Sequence, residues 1–422
     1  MKKEISIYKK VYKKSNLWSA WQVVRANGRL STSEETQKNI RLFDDNSLTG
    51  INDIAKRLSQ NTYVFDQSIG VPIRRDGKKS RPIVIASIKN RIVQRSILDI
   101  IQKQSQLETV FDHPSSYGGI AKKGVKDATM RVHDLVKSGK APYFIASDIS
   151  GFFTAINRSK VLEIVSNYIK DEKFLKLFEN ALVTELSNLA QLKAEASLFP
   201  IHSTGVAQGC CLSPLVGNIY LNEFDKVMNT EDVCCLRYID DFIILGPSKK
   251  IVEAKFRQAQ KILKLLGLEA YDPNTDNDKA SKGFTRNGIE YLGCYITPNT
   301  IRPNDRSWKR LKESVTENFD LALRNAQNAD KAYKEKQTFP QVIYANKRKM
   351  EGWIKQYSFC NDHRIFSHWN KSLRDIFLEF ENNYLKLLVG QDFRDRAILL
   401  GFEDIELSLR VLYEKKSSKS KT

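Results

Sequence analysis

Hydrophobic and polar residues are spaced along most of this chain in the way that is typical of amphipathic helices. The spacing predicts a helical segment from Asn16 to Asp66, a helix from Asn90 to Gln106 and another from Ile251 to Leu266. From Asp305 onward the pattern is helical almost throughout, with lysines and arginines opposite the apolar stripe. Helices are therefore predicted at both ends of the chain.

Between these helices lie short runs of β-branched and aromatic residues that predict strands. Val71–Ser87 contains two such runs around Asp76-Gly77, a strong hairpin signal, and Ile289–Thr297 indicates a further strand pair. Tyr143–Ala146 is predicted to be a buried strand, with Asp148 at its end. The central part of the chain is therefore predicted to form sheet.

The most informative stretch is CCLRYIDDFIILG, residues 234–246, in which two strand-like runs flank Asp240 and Asp241. A two-residue Asp-Asp link suits a hairpin. Like charges side by side between buried strands are unfavourable unless a cation neutralises them, and hard divalent ions prefer oxygen ligands. Taken alone, the pair is more typical of a polar turn than of a metal site, because Asp is a common turn residue. Asp148 supplies a third carboxylate, although a helix or turn cap would also place an aspartate there.

The composition indicates that the protein binds a polyanionic partner. The 422 residues include 68 Lys and Arg against 49 Asp and Glu, a formal net charge of +19, so nucleic acid is the first candidate. The 41% of hydrophobic residues can form a sizeable core in two or three subdomains. The chain shows no apolar run of about 18 residues and no signal peptide, so we expect a soluble, cytoplasmic protein that does not enter membranes.

Two stretches suggest contact with phosphates. The predicted hairpin around Asp76 is strongly basic, and Arg74 and Arg81 could grip a triphosphate or a strand backbone, although a solvated hairpin has the same composition. Gly205–Phe224 begins with a Gly-rich turn and continues into a helix with Pro214 at its start, so a nucleotide could lie against bare backbone there.

Five motifs in series resemble those of reverse transcriptases: RPIVIA at 81–86, SDISGFF at 147–153, AQGCCLSPLVGNIYL at 207–221, RYIDD at 237–241 and EYLGCYI at 290–296. Their order and spacing are similar to the prokaryotic branch, which includes group II intron, retron and defence-associated enzymes. The resemblance implies an α+β right-hand polymerase with fingers, a palm of antiparallel sheet plus helices, and a helical thumb. The expected division is a helical N-terminal extension at 1–66, fingers at 67–140, palm at 141–300 with part of the fingers interleaved, thumb at 301–413 and a disordered basic tail at 414–422.

The resemblance also implies the metal ligands. Asp148, Asp240 and Asp241, with the carbonyl of Ile149, would hold two Mg²⁺ ions, for which Mn²⁺ is a possible substitute. Carboxylates from two neighbouring strands must converge because two ions act on the primer 3′-hydroxyl and on the departing pyrophosphate.

Further residues are implied to contact the nucleotide or primer. They are Arg74, Arg81, Phe153, Gln208, Gly209, Tyr238 and Lys279. Among them, Arg74 and Arg81 would hold the triphosphate, Phe153 would exclude a ribose 2′-hydroxyl and Tyr238 would support the primer end. The loop at 271–283 also offers Lys282 for the lysine position, and we favour Lys279.

The implied activity is RNA-directed DNA polymerisation, with an RNA template, a DNA primer and product, and dNTPs as partners. The sequence does not decide whether the protein forms an oligomer or binds a partner protein. By exclusion, the chain is most similar to stand-alone defence-associated enzymes that work with a dedicated noncoding RNA. Alternatives are an RNA-binding maturase or retron-type protein, and a template-independent nucleotidyl transferase on the same palm. Beyond Asp305, basic runs with Trp353, Tyr357 and Trp369 suggest RNA binding by phosphate contact and stacking, although solvated helical faces look the same.

Overall fold

The computed structural model describes residues 6–31, 33–75 and 78–419. The described residues form two compact units, within Met1–Arg131 plus Gly139–Phe284 and within Val132–Ser138 plus Thr285–Thr422. We call these the N-terminal unit and the C-terminal unit. The break after Phe284 precedes the predicted palm–thumb boundary at 300, and the assignment of fingers, palm and thumb stays a prediction.

The part of the chain up to Phe284 contains both helices and strands, as the sequence predicts. The helices are α1 (Ile7–Tyr12), α2 (Lys14–Arg29), α3 (Glu34–Asp45), α4 (Ser47–Ser59), α5 (Ile88–Ile101), α6 (Ser105–Phe111), α7 (Val125–Lys137), α8 (Phe152–Ala155), α9 (Arg158–Tyr168), α10 (Glu172–Leu182), α11 (Leu189–Leu192), α12 (Ser213–Tyr220), α13 (Asn222–Met228) and α14 (Lys249–Leu265). The strands are β1 (Ile69–Arg75), β2 (Lys78–Ile85), β3 (Ser116–Tyr117), β4 (Tyr143–Asp148), β5 (Cys234–Tyr238), β6 (Asp241–Gly246) and β7 (Ala280–Phe284).

The central sheet has the order β3-β5-β6-β4-β7 among the described residues. β3 runs parallel to β5, and the other neighbours are antiparallel. Residues of β4 and β6 are buried on both faces, which explains their continuous apolar runs. Helix α14 covers one face, where Phe256 stacks on Phe242 with ring centroids 6.3 Å apart. The α+β class with a largely antiparallel sheet is confirmed.

The predicted N-terminal helical segment is confirmed as α2, α3 and α4. Trp21 is fully buried and packs on Phe43, with ring centroids 4.7 Å apart. Helix α2 packs against α5, so this segment shares one core with the helices around the sheet. β1 and β2 form the predicted hairpin, and its turn at Asp76-Gly77 lies outside the described residues.

The C-terminal unit is mostly helical. Its elements are β8 (Ile289–Tyr291), β9 (Cys294–Ile296), β10 (Ile301–Pro303), α15 (Asp305–Asn325), α16 (Ala329–Lys334), α17 (Phe339–Gln356), α18 (His363–Val389), α19 (Phe393–Leu399) and α20 (Ile405–Lys419). β8 and β9 confirm the predicted strand pair, and β10 adds to it. Because α20 extends to Lys419, the expectation of a disordered tail is wrong for 414–419; residues 420–422 lie outside the described residues.

Two of the aromatic residues that were expected to stack on RNA are part of the core of this unit. Tyr357 is 4% exposed and Trp369 is 5% exposed. Trp369 stacks on Trp308, with ring centroids 4.8 Å apart, and Trp353 donates its indole N–H to the Ser307 hydroxyl. The sequence pattern misled because large aromatic rings serve packing and stacking equally well. Within the described part of the chain, no helix has the length and apolar character needed to cross a membrane.

Candidate active site

The β5–β6 hairpin presents the adjacent carboxylates, but its turn differs from the expected one. Tyr238 pairs with Asp241, so the two turn residues are Ile239 and Asp240, and Asp241 begins β6. Ile239 has φ 60°, in the left-handed region. A β-branched residue rarely adopts this conformation, and such outliers concentrate at functional sites. The predicted Asp-Asp link is therefore wrong by one residue.

Asp148 lies opposite this hairpin because β4 pairs with β6. In the register of that pair, Asp148 and Asp241 are direct cross-strand partners. Beyond the end of β4, the Ile149 amide donates to the Asp240 carbonyl at 3.0 Å, which fixes the turn against the neighbouring strand. The fold thus brings Asp148 together with Asp240 and Asp241, which follow it about ninety positions later in the sequence.

The electrostatics of the cluster reflect its negative charge. Burial, followed by the charge of Asp148, raises the pKa of Asp240 from 3.8 to about 6, although Lys279 and Arg81 oppose this shift. Burial and the charges of Asp148 and Asp240 raise the pKa of Asp241 to about 7. Desolvation and like charge both disfavour the ionised carboxylate. The cluster would therefore be stabilised by a cation.

The structure separates the two candidate lysines. The Lys279 ammonium forms an ion pair with Asp148 and lies 5.5 Å from the centre of the Tyr271 ring. Burial acts to lower the pKa of Lys279, but the hydrogen bond and charge of Asp148 outweigh it and raise the pKa. Lys282 instead contacts Glu253 and the Asn274 side chain. Of the two, Lys279 is the lysine at the carboxylates.

The predicted nucleotide residues Arg81, Gln208 and Gly209 lie together. The Arg81 guanidinium donates to the Gln208 side-chain oxygen at 2.9 Å, and the Val84 amide donates to the Gln208 carbonyl at 2.8 Å. Gly209 has φ 110°, and a Cβ there would lie 2.8 Å from the Val84 carbonyl oxygen. Only glycine allows this close approach of the loop to β2. Because Arg81 also lowers the pKa of Asp240, this group lies within electrostatic reach of the carboxylates.

The remaining predicted residues lie around this group. Phe153 is half-buried beside Phe152, with ring centroids 5.3 Å apart, and its carbonyl accepts from the Val206 amide, two residues before Gln208. Tyr238 precedes the turn. Arg74 is exposed at a bulge in β1 between Ile73 and Arg75, and bulges often redirect a side chain. The roles of these residues stay predictions.

The donor set suits a divalent cation because it consists of carboxylate oxygens with raised pKa values. Within residues 6–31, 33–75 and 78–419, however, no three His, Cys, Asp or Glu side chains already form a compact metal-ligand group. Lys279 occupies one side of Asp148. A cation that binds all three carboxylates must therefore compete with the Lys279 ammonium for Asp148.

Arg237 and Asp225 also belong to the site, although the motifs did not predict a role for either residue. Arg237 lies on β5 next to Tyr238, is fully buried, and pairs with Asp225 on α13 at 2.5 Å. A charged residue within an otherwise apolar strand is a detectable signal, because buried arginines require a partner. Its partner could not be identified from spacing.

A second residue without an assigned role is Arg91 on α5. It lines a cavity of about 680 Å³ together with Gly209, Gln94 and Ser213. Burial lowers the pKa of the Arg91 guanidinium. A guanidinium at a cavity that adjoins Gly209 is a further candidate for phosphate contact.

Three carboxylates on neighbouring strands of a largely antiparallel sheet are typical of polymerase palms. A comparison of the sequence with protein families gives the same result. The family model for "Reverse transcriptase (RNA-dependent DNA polymerase)" matches residues 73–296. This is more than half of the chain, and the protein belongs to the reverse transcriptase family. Members of this family generally use divalent metal ions.

Similar proteins include the protein YkfC of Escherichia coli K12, which is 30% identical over 162 residues, or 38% of this chain and 40% of YkfC. The group II intron-encoded protein LtrA of Lactococcus lactis is 29% identical over 182 residues, or 42% of this chain and 28% of LtrA. The chain thus spans less than half the length of these relatives.

The solved structures that match this chain are more distant in sequence. A partial Cas6-RT-Cas1–Cas2 complex is 17% identical with a TM-score of 0.36, and covers 65% of this chain and 44% of that one. Telomerase from Candida albicans, in complex with a fragment of telomeric RNA, is 12% identical with a TM-score of 0.42, and covers 88% and 66%. The family assignment rests on the family model.

Proposed function

We propose that this protein is an RNA-directed DNA polymerase that extends a primer on an RNA template. The observation that carries the proposal is the pairing of Asp148 with Asp241 across β4 and β6, with Asp240 in the adjoining turn. Two Mg²⁺ ions bound by these carboxylates would activate the primer 3′-hydroxyl and stabilise the departing pyrophosphate.

The chain's own residues would orient the nucleotide. Arg81, held by Gln208, would bind the triphosphate, because a guanidinium suits bidentate phosphate contacts. Phe153 would exclude a ribose 2′-hydroxyl and so select dNTPs. Lys279 would add positive charge beside the carboxylates, where the triphosphate arrives.

Primer extension with purified protein tests the proposal. An RNA template with a DNA primer, supplied with Mg²⁺ and dNTPs, should give templated extension. Asp240→Asn should abolish extension without loss of folding, whereas Glu231→Gln, which alters an exposed carboxylate before β5, should leave it unchanged. Extension that ignores template sequence would instead indicate a template-independent nucleotidyl transferase. RNA binding without any extension would indicate a maturase, and would overturn the polymerase assignment.

We further propose that the template is a dedicated noncoding RNA and that the protein acts in antiphage defence. The support is the sequence resemblance to defence-associated enzymes and the basic runs beyond Asp305. Base stacking no longer supports it, because Tyr357 and Trp369 are buried. Basic runs such as Lys347–Lys349 would contact phosphates, so RNA affinity should fall steeply with salt.

Sequencing the RNA that co-purifies with the protein tests this second proposal. A dedicated template requires one dominant, structured species. A mixture that follows cellular RNA abundance would leave a general polymerase, and would remove the main support for a defence role.

A further inference from the structure

Arg237 is the centre of a fully satisfied buried network next to the carboxylates. Its Nε and Nη2 donate to the two oxygens of Asp225 at 2.8 and 2.5 Å. The other Nη2 hydrogen reaches the Ser116 hydroxyl at 2.8 Å, and Nη1 reaches the Asn218 side-chain oxygen at 3.1 Å. The remaining Nη1 hydrogen donates to the Ile239 carbonyl at 2.8 Å. All five N–H donors of the guanidinium are therefore used.

The bond to Ile239 reaches the residue with the least favourable backbone conformation in the hairpin. Ile239 has φ 60°, which is costly for a β-branched residue. Its amide donates to the Tyr117 carbonyl at 3.2 Å, so both of its backbone polar groups are held. Without these bonds, Ile239 would relax toward negative φ. Since Asp240 is the next turn residue and Asp241 starts β6, that relaxation would move both carboxylates relative to Asp148.

The ion pair places the guanidinium very precisely. Both side chains are almost fully inaccessible, at 0% and 1% exposure, and Asp225 lies on α13 rather than on the hairpin. A bidentate guanidinium–carboxylate pair has a defined plane. The remaining N–H groups therefore point in fixed directions, one of them at the turn.

We propose that Arg237, oriented by Asp225, is a positioning residue that holds Ile239 in the left-handed conformation from which Asp240 and Asp241 are presented to Asp148. Arg237 touches neither substrate nor metal in this scheme. Arg237 affects catalysis only through the backbone of Ile239. This proposal rests on the proposed polymerase function.

The test first removes the Arg237–Asp225 ion pair and then replaces Ile239 with a residue that adopts positive φ without support. Asp225→Leu combined with Arg237→Met replaces the ion pair with apolar side chains, so that no unpaired charge is left in the core. Ile239→Gly is then added, because glycine adopts positive φ without steric cost. The matched control is Arg158→Met, since Arg158 also donates to backbone carbonyls, but these belong to Leu182, His202 and Ser203, which are not part of the hairpin.

The double variant should lose about five- to thirty-fold in kcat, with little change in the KM for dNTP, because only the fraction of molecules with a competent turn falls. Ile239→Gly should restore kcat in that background to within about three-fold of wild type, since glycine populates the native turn freely. In the Arg158→Met background it should restore nothing. Absence of rescue, or equal rescue in both backgrounds, would overturn the proposal.

Hydrogen–deuterium exchange gives a readout that does not depend on activity. The Ile149 amide is bonded to the Asp240 carbonyl, so its protection reports the native turn in the metal-free protein. Protection in a peptide that contains Ile149 should fall in the double variant and return with Ile239→Gly. If the variants show this exchange pattern but the wild-type protein extends no primer, the polymerase function alone is refuted. Unchanged protection in the double variant would refute the role of Arg237 alone.

Discussion

Replacement of Asp241 by asparagine should have two opposite effects, a loss of polymerase activity and a gain in stability of the metal-free protein. The carboxylate is proposed to bind the metal, but without metal its charge is buried beside Asp148 and Asp240. Asparagine has nearly the same shape and no charge. Activity and stability should therefore change in opposite directions.

The size of the gain follows from the pKa of Asp241, which is raised from 3.8 to about 7. Ionisation of this carboxyl in the folded chain costs up to about 4 kcal/mol, at about 1.4 kcal/mol per tenfold change in proton affinity. Because the folded state binds the proton more tightly than the unfolded state, wild-type stability falls as the pH rises from about 4 to 7. The variant lacks this fall. We expect a gain of about 2–4 kcal/mol at pH 8 and less than half of that at pH 5.

Denaturant unfolding in EDTA at pH 5 and pH 8, read by hydrogen exchange of peptides from β4 and β6, isolates the unit that carries the site. The matched control is Asp225→Asn, the same change at a buried carboxylate that has a partner. It should destabilise by about 3–5 kcal/mol, because it leaves Arg237 charged and unpaired. An Asp241→Asn protein that is less stable at pH 8, or that still extends primers, would refute this account of the site.

Three further substitutions test neighbouring residues. Phe153→Ala should admit ribonucleotides, as measured by single-nucleotide incorporation kinetics. If the discrimination between dNTP and NTP is unchanged, the Phe153 ring is an ordinary core residue. Lys279→Met should lower the Mg²⁺ concentration needed for half-maximal stabilisation in a melting assay, because the competitor for Asp148 is removed, whereas Lys282→Met should have no such effect. Gly209→Ala should destabilise by about 1–3 kcal/mol and weaken dNTP binding, because its Cβ would meet the Val84 carbonyl; wild-type behaviour would contradict the tight approach of this loop to β2.

The sequence by itself determined much of this protein. Runs of β-branched and aromatic residues predicted β4, β5 and β6, because strands buried on both faces need continuous apolar sequence. The motifs identified the family, and the sequence placed Asp148 at a strand end and Asp240 and Asp241 at a hairpin tip. This information is local, since each motif records the surroundings of its own segment.

Only the tertiary structure decided how the segments meet. The register of β5 with β6 assigned Ile239 to the turn, which composition could not predict because isoleucine favours strands. Likewise, the choice of Lys279 over Lys282 and the pairing of Arg237 with Asp225 depend on contacts between different elements. The burial of Trp369 in the core follows the same rule, since a sequence records that a side chain is aromatic but not which surface covers it.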